Sequence, residues 1–281
     1  MKTWFITGAS SGFGRRLTEK LLARGDRVAA TSRKADALAD LRERYDDRLW
    51  TTALDLLDLE QVRQVVDSAF AALGRIDYLV SNAGYGVLGA AEETTDAHLR
   101  DIVDTNLLGS IALIRSALPH LRAQGDGRVL QVSSEGGQIA YPGFSLYHAT
   151  KWGIEGFVEA VAQEVAPFGI AFTLVEPGPA RTNFVNGVVK PEPIAAYDGT
   201  PAHDVRDAAL GGDWVITGNP DRMVDAMIAA ADAPDMPLRL VLGGTSYTAI
   251  RAALTGRISA LDAQRDVAFS TDYTAEELAQ L

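Results

Sequence analysis

The segment Thr3-Trp4-Phe5-Ile6-Thr7-Gly8-Ala9-Ser10-Ser11-Gly12-Phe13-Gly14 decides the fold of this chain. Its first five residues are β-branched or aromatic, which favours a strand, and a glycine-rich loop follows at once. The glycines allow a tight turn and a close approach of the backbone. The helical pattern Arg15–Arg24 comes next, and the N–H groups at a helix N-terminus bind a pyrophosphate well. A strand, a glycine loop and a helix in this order predict a dinucleotide-binding site.

The rest of the chain repeats this alternation of strands and helices. Several strand segments are apolar throughout, which is typical of parallel strands covered on both faces. The predicted strands are Thr3–Thr7, Arg27–Thr31, Leu49–Leu54, Tyr78–Ser81, Arg128–Ser133, Ile170–Val175 and Leu238–Leu242. The predicted helices are Arg15–Arg24, Leu56–Leu73, Asp96–Leu121, Leu146–Val165, Asp221–Ala230, Tyr247–Asp262 and Thr274–Gln280. We therefore predict an α/β fold, a doubly wound parallel sheet (Rossmann fold) with helices on both faces, as a single domain over residues 1–281.

Two segments depart from this alternation. Pro177–Trp214 is rich in Pro, Gly, Asn and Asp, and its helical periodicity is poor. Long irregular segments inside compact domains usually act as lids or flexible loops. We therefore predict a mobile substrate lid here, and the alternative is a permanently ordered surface segment. Gly243–Leu281 forms a C-terminal helical extension, which either caps the domain or meets a partner subunit.

Composition argues against several classes of function. The 281 residues contain no cysteine, so disulfides, thiolate metal sites and a cysteine nucleophile are excluded. The formal net charge of −11 argues against an open nucleic-acid surface. The four histidines have no metal-ligand spacing, so we expect no metal site. The N-terminus lacks a signal-peptide pattern, and no apolar run approaches the roughly 20 residues of a membrane helix, so we expect a cytoplasmic protein without a membrane partner.

The end of the second predicted strand indicates which dinucleotide binds. NAD sites place a carboxylate there against the ribose 2′-hydroxyl, whereas NADP sites place an arginine against the 2′-phosphate. Ser32-Arg33-Lys34 follows the strand here, and the first acid is Asp36. Arg33 can pair with a phosphate, and Ser10 and Ser32 can donate further hydrogen bonds. We predict NADP(H); the alternative, two solvated cations, would place positive charge unfavourably at a helix N-terminus.

A phenol and an ammonium group, those of Tyr147 and Lys151, stand four residues apart in a predicted helix, which brings them to one face. A tyrosine with its ordinary pKa of about 10 is a poor base at neutral pH, and a nearby cation favours its phenolate form. By itself this spacing also fits a structural pair on the surface. Ser134, however, follows the strand Arg128–Ser133, and active sites in open parallel sheets lie outside such strand ends. The three residues together predict an acid–base site.

These motifs resemble those of the short-chain dehydrogenase/reductase family. Thr7–Gly14 resembles the family's T-G-x-x-x-G-x-G loop, and Ser134, Tyr147 and Lys151 resemble its serine and Y-x-x-x-K elements. The further matches are Asp55-Leu56 beside the adenine, the Asn82-Ala83-Gly84 turn, Asn106 of the catalytic tetrad, and Pro177-Gly178 with Thr182 near the nicotinamide. The resemblance covers residues 3–182, and its matches come in the family's order.

The resemblance implies an NADP(H)-dependent oxidoreductase that interconverts a carbonyl and an alcohol, that is, a carbonyl reductase or alcohol dehydrogenase. Tyr147 would act as the general acid and base, and Ser134 would hold the carbonyl oxygen. Lys151 would lower the pKa of Tyr147 and bind the nicotinamide ribose, and Asn106 would hold a water that connects Lys151 to solvent. In the family the helix matching Leu146–Val165 often packs against its counterpart in another subunit, so the resemblance implies a homo-oligomer, either a dimer or a tetramer.

The resemblance and the loop pattern together predict the cofactor contacts. They are Gly8, Ser10, Ser11, Gly12, Phe13, Gly14, Ser32, Arg33, Asp55, Leu56, Asn82, Ala83, Gly84, Tyr147, Lys151, Pro177, Gly178 and Thr182. Phe13, Ser81 and Glu176 depart from the residues that are common in the family, which blurs the subfamily and leaves the four catalytic positions untouched.

The sequence argues against two other classes of function. A catalytically silent dinucleotide sensor or scaffold of the same fold has no need for Asn106, Ser134, Tyr147 and Lys151 together. A hydrolase or lyase on a similar sheet would require a nucleophile elbow, G-x-S-x-G, which the sequence lacks. The motifs do not choose the substrate, because steroids, ketoacyl groups, sugars, polyketides and small ketones all fit a reaction of this class.

Overall fold

The computed structural model describes residues 1–212 and 216–280, so Trp214, which we expected to end the lid, lies outside the described residues. Within these ranges, seven parallel strands form one sheet in the order β3-β2-β1-β4-β5-β6-β7. The strands are β1 (Thr3–Ile6), β2 (Arg27–Ser32), β3 (Leu49–Ala53), β4 (Tyr78–Ser81), β5 (Gly127–Val132), β6 (Ile170–Pro177) and β7 (Arg239–Leu242). The order reverses between β1 and β4, where doubly wound sheets bind their ligands. The predicted fold class is confirmed.

Helices cover both faces of the sheet. They are α1 (Gly12–Arg24), α2 (Ala39–Tyr45), α3 (Leu59–Leu73), α4 (Asp96–Val103), α5 (Ser110–Gln124), α6 (Ser145–Val165), α7 (Pro201–Gly211), α8 (Pro220–Asp232), α9 (Gly244–Asp262), α10 (Arg265–Ser270) and α11 (Ala275–Leu278). One buried cluster joins α3, α5 and α6 to the sheet, and a second joins α1, α2 and α8 to its other face. The two cores pack against both faces of the sheet and so position the carboxyl ends of its strands.

The predicted helix Asp96–Leu121 is wrong as one regular helix, because a π-helical stretch, Asp104–Gly109, separates α4 from α5. Asn106 lies in this stretch, and its side chain binds the backbone of Tyr85 through both of its polar atoms. π-helical turns inside α-helices often mark functional sites. The apolar periodicity continues through the stretch, so it does not reveal the change in backbone hydrogen bonding.

The segment 177–212 is more regular than its composition predicts. Besides two short 3₁₀ turns it contains α7, which begins with Pro201 in the first helical turn, where proline fits a helix well. The expectation of a wholly irregular segment is therefore wrong for Pro201–Gly211. The mobility predicted for this segment stays a prediction.

The C-terminal extension consists of α9, α10 and α11. Its first helix packs through Ser246 and Ile250, but every described residue from Leu254 to Gln280 is exposed. Within the described ranges, no helix has the combination of length and apolarity that crossing a bilayer requires.

Candidate active site

The loop between β1 and α1 has the geometry of an anion cradle. Gly8 and Gly12 have φ angles of 67° and 57°, in the left-handed region that favours glycine. A Cβ atom on Gly14 would lie 2.5 Å from the carbonyl oxygen of Gly8, so this position also requires glycine. Ser11 precedes the helix without capping it through its side chain, so the first N–H groups of α1 stay available to a ligand. The loop thus fits the pyrophosphate of a dinucleotide.

The Asn82-Ala83-Gly84 turn holds this loop in place. The hydroxyl of Thr7 accepts hydrogen bonds from the backbone N–H groups of Asn82 (2.9 Å) and Ala83 (3.1 Å). The side-chain amide of Asn82 donates to the carbonyl oxygen of Thr7 at 2.8 Å. Asn82 therefore ties the end of β4 to the end of β1, at the point where the strand order reverses.

The end of β2 presents one cation to the same cavity. Arg33 is exposed, lines the cavity and forms no ion pair with the residues that the structure describes. The hydroxyl of Ser32 donates to the carbonyl oxygen of Lys34 at 2.6 Å. Because a hydroxyl has a single proton, a phosphate here would receive its hydrogen bonds from Arg33 rather than from Ser32 in this arrangement.

The three predicted acid–base residues meet at the carboxyl end of β5. Tyr147 on α6 is buried, and it lines the same cavity as Ser134. Lys151, one helical turn later, is also buried; its ammonium donates to the carbonyl oxygen of Val132 at 2.9 Å and lies 5.5 Å from the ring centre of Tyr147. The Ser134 hydroxyl accepts a hydrogen bond from the N–H of Gly136 at 3.0 Å, which fixes its position.

Burial has the largest effect on the pKa values of Tyr147 and Lys151. It raises the pKa of Tyr147 to about 12, against a smaller opposing effect of the hydrogen bond with Ser134. Burial also lowers the pKa of Lys151 to about 8, and the charge of Glu155 opposes that change. The pKa of Tyr147 therefore lies above its ordinary value, opposite to the lowering that the resemblance implies for the effect of Lys151. At neutral pH the phenol of Tyr147 therefore keeps its proton.

Asn106 lies beside this group but uses its side chain for structure. Its carbonyl oxygen accepts from the N–H of Tyr85 at 3.0 Å, and its amide donates to the carbonyl oxygen of Tyr85 at 2.7 Å. This bridge fixes the chain after Gly84, where a Cβ atom would lie 4.0 Å from the ammonium of Lys151. The water that the resemblance assigns to Asn106 stays a prediction.

One cavity of about 670 Å³ joins the glycine loop to the acid–base group. All predicted catalytic and cofactor residues line it except Gly14, which packs under the loop, and Asn106. The end beyond Ser134 has a largely apolar lining with a few polar groups: Tyr85, Leu88, Glu135, Tyr141, Phe144, His148, Phe184, Val185, Val188 and Val189. The sequence motifs did not point to this end, although an acid directly after the strand-end serine was a signal that could have been used.

His148 helps to shape this end of the cavity. Its Nε2 accepts from the N–H of Tyr141 at 2.8 Å, and its Nδ1 lies 2.8 Å from the carbonyl oxygen of Gly136. Burial lowers the pKa of His148, so the neutral ring, with the proton on Nδ1, satisfies both contacts. His148 therefore joins the turn after β5 to the chain around Tyr141.

Comparison with known proteins agrees with this geometry. The family model described as short chain dehydrogenase matches residues 2–193. Oxidoreductase BOA17 of Botryotinia fuckeliana is 38% identical over 247 residues, which are 86% of this chain and 89% of that protein. Human 17-beta-hydroxysteroid dehydrogenase type 1 is 31% identical over 261 residues, 83% of this chain and 75% of that protein.

The solved structures extend the likeness to the whole fold. A short-chain dehydrogenase from Streptomyces avermitilis is 40% identical, covers 97% of this chain and 100% of its own, and superposes with a TM-score of 0.90. The chain described here belongs to the short-chain dehydrogenase/reductase family, and it is an oxidoreductase of that family.

Proposed function

We propose that this protein is an NADP(H)-dependent carbonyl reductase or alcohol dehydrogenase in which Tyr147 is the general acid and base. The observation that carries this proposal is a single cavity with the glycine loop at one end and Ser134, Tyr147 and Lys151 at the other. The same cavity therefore holds a loop that fits a pyrophosphate and a phenol that can donate a proton to a bound carbonyl.

The roles of the side chains follow from their contacts. A nicotinamide held beside Pro177-Gly178 and Thr182 would supply hydride to the carbonyl carbon in reduction and accept it in oxidation. Ser134 donates a hydrogen bond to the carbonyl oxygen and positions it against Tyr147. Tyr147 transfers its phenolic proton to that oxygen, so the ketone gains one hydride and one proton and becomes the alcohol. The positive charge of Lys151 stabilises the phenolate that remains on Tyr147.

The choice of NADP(H) depends on Arg33. An exposed guanidinium without an ion pair among the described residues is free to bind the 2′-phosphate in a bidentate way. The family membership is also consistent with the predicted homo-oligomer, and segment 177–212 is proposed as the substrate lid because Thr182, Phe184 and Val188 line the cavity. A cytoplasmic location stays a prediction from the sequence.

The experiment is NADPH oxidation measured across a panel of ketones with the wild-type protein and Tyr147→Phe. We expect turnover of at least one ketone, and a loss of about 10²–10⁴-fold in Tyr147→Phe with NADPH binding preserved, because only the proton donor is removed. Tyr78→Phe is the matched control, since the Tyr78 phenol is also buried and binds the carboxylate of Asp232 outside the cavity. A Tyr147→Phe variant that keeps more than about a tenth of the activity contradicts the acid role. Tight NADPH binding without turnover of any ketone favours the silent sensor.

A further inference from the structure

A buried carboxylate directly follows the substrate-positioning serine. Glu135 is 5% exposed and begins the short turn after β5. Its Oε1 accepts a hydrogen bond from the phenol of Tyr141 at 2.7 Å. Among the residues that the structure describes, this phenol is the one hydrogen-bond donor to the carboxylate, and no cation pairs with it.

Within the described ranges, four other acids are buried, and they have fuller sets of partners. Asp26 pairs with Arg24, and Glu93 accepts from two backbone N–H groups and contacts His203. Glu155 and Glu176 both pair with Arg239, and each also accepts from the amide of Gln138. A buried charge normally requires such pairing, because desolvation without it is costly. Glu135 therefore has fewer hydrogen-bond donors than these four acids, and it has no cation beside it.

The position of Glu135 shows where a further donor would come from. Glu135 and Tyr141 both line the cavity beyond Ser134. The Oε2 atom of Glu135 lies near the segment that follows β6, because a Cβ atom built on Gly178 would be 3.1 Å from it. Burial is the main cause of the raised pKa of Tyr147, and the charge of Glu135 raises that pKa further. The carboxylate therefore acts on the reacting phenol. Apolar side chains such as Leu88 and Phe144 line the same end and cannot satisfy a carboxylate.

We infer that Glu135 is a specificity-determining residue, which binds a hydrogen-bond donor of the substrate, a hydroxyl or amino group close to the reacting carbonyl. A carboxylate oxygen accepts hydrogen bonds and has none to give, so such a donor satisfies it while an ether oxygen does not. The same charge repels a carboxylate or phosphate at that position. This inference rests on the proposed function, because the substrate carbonyl must lie at Ser134.

Equilibrium binding to the enzyme with NADP⁺ tests the inference without turnover. Four ligands share one phenyl carbinol and differ in one group: 1-phenylethane-1,2-diol, 2-amino-1-phenylethanol, 2-methoxy-1-phenylethanol and mandelate. We expect the diol or the amino alcohol to bind at least about tenfold more tightly than the methoxy ether and mandelate, as for a hydrogen bond to a charged group. Whichever of the diol and the amino alcohol binds more tightly shows whether the preferred donor is a hydroxyl or an amino group. Equal binding of all four, or no binding of either donor ligand, overturns the inference.

Variants separate Glu135 from its surroundings. Glu135→Gln keeps the shape and removes the charge, so we expect the preference over mandelate and over the ether to fall to about threefold or less, since a charge-assisted hydrogen bond is lost. Tyr141→Phe removes the phenol and should keep the preference, which leaves a test if Glu135→Gln does not fold. Glu92→Gln is the matched control, because Glu92 is an exposed carboxylate bound to the phenol of Tyr197. A preference that survives in a folded Glu135→Gln variant also overturns the inference.

The two proposals fail in different ways. NADPH oxidation with 2-hydroxyacetophenone and 2-methoxyacetophenone is measured in parallel. Turnover without any binding preference overturns the role of Glu135 and supports the proposed function. A Glu135-dependent binding preference without turnover of any ketone overturns the proposed function and leaves the donor site in place.

Discussion

At the scale of single residues, burial rather than the neighbouring cation controls the acid of the site. The raised pKa of Tyr147, about 12, keeps the phenol protonated at neutral pH, which suits the donation of a proton to a carbonyl oxygen. The lowered pKa of Lys151, about 8, still leaves most of its ammonium charged near neutrality. A protonated phenol fits the acid role that we propose for Tyr147 in reduction, and the reverse reaction would require the less populated phenolate.

The raised pKa of Tyr147 predicts opposite pH profiles for ketone reduction and alcohol oxidation. Below its pKa, the phenolate fraction of Tyr147 rises tenfold for each pH unit, so alcohol oxidation should accelerate by up to about tenfold per unit between pH 6 and 10. Ketone reduction uses the protonated phenol and should be highest at neutral pH or below. Initial rates in both directions across this range provide the measurement. Oxidation that is flat or falls with rising pH would contradict the assignment.

Arg33 is predicted to determine the cofactor. Arg33→Ala should weaken NADPH binding by roughly 10- to 100-fold, the range for lost hydrogen bonds to a charged group, and leave NADH binding nearly unchanged. Lys34→Ala is the control, because Lys34 is equally exposed and does not line the cavity. Titration of both cofactors into both variants and the wild type gives the answer. Wild-type protein that binds NADH as tightly as NADPH rules out this assignment.

Residues with fixed spacing in the sequence were predictable, and residues brought together by a turn were not. The glycine loop and the pair Tyr147 and Lys151 depend on local geometry, namely one strand–turn–helix unit and one helical turn. The contact between Glu135 and Tyr141 depends on the path of the chain after β5, which no periodic pattern encodes. The sign of the Tyr147 pKa shift likewise depends on burial, which the spacing of a motif does not report.

At the scale of elements, the strands were predicted to within one or two residues because their apolar runs are short and end in glycine or polar residues. The predicted helix Leu56–Leu73 ends at the same residue as α3, whose N-cap, Asp58, accepts hydrogen bonds from the backbone N–H groups of Glu60 and Gln61. The sequence pattern did not predict helices α2 and α7, because both are short and their exposed faces are mainly polar. The π-helical turn was missed because it preserves the apolar pattern and changes only the backbone hydrogen bonds.

Helix α7 is joined to the body of the protein by a group of charged side chains around the buried carboxylate of Glu93. His203 on α7 contacts the buried carboxylate of Glu93 at 2.6 Å, and the N–H of Ile194 donates to the same carboxylate at 2.8 Å. Asp198 also faces His203, at 3.2 Å, and Arg206 lies 3.9 Å from Glu93. The hydrogen bond with Glu93 raises the pKa of His203 above its ordinary value. The proposed lid is therefore held most firmly when His203 is protonated.

The attachment of α7 should weaken as the pH rises. Because the folded pKa of His203 is raised, its contribution is fully present below the ordinary pKa of about 6.5 and is lost as the pH passes the raised value. We expect amide exchange across residues 195–211, corrected for intrinsic rates, to be slowest near pH 6 and to quicken above it. His203→Gln should abolish this dependence, whereas His120→Gln, which removes a histidine–carboxylate pair with Asp67 elsewhere, should not.

The same exchange measurement addresses the lid. Protection over residues 183–212 should increase when NADPH and a substrate analogue are added, because a closing lid excludes water from the reacting groups. Unchanged protection over these residues would show an ordered surface segment instead of a lid.

At the scale of the whole molecule, the C-terminal extension is the part that the domain leaves uncovered. Large apolar side chains are exposed along it: Tyr247, Leu254, Ile258, Leu261, Val267, Phe269, Tyr273 and Leu278. Soluble monomers rarely expose contiguous apolar patches of more than a few hundred Å², and larger ones usually mark an interface. Near the extension, Trp152 on α6 is also exposed, with the guanidinium of Arg257 over its ring. This surface is the physical reason to retain the predicted homo-oligomer.

The last prediction concerns this surface. Sedimentation of the wild-type protein should give a dimer or tetramer of the 30.0 kDa chain, because association would cover the apolar side chains of α9 and its neighbours. The double variant Ile258→Asp and Leu261→Asp places two charges where apolar contacts are expected, and it should shift the distribution towards monomer by at least about tenfold in the dissociation constant, the effect of burying unpaired charge. Leu210→Asp is the control, since Leu210 is exposed on α7 rather than on the extension. A wild-type protein that sediments as a monomer at every concentration contradicts the homo-oligomer, and a double variant that associates as the wild type does removes the extension from the interface.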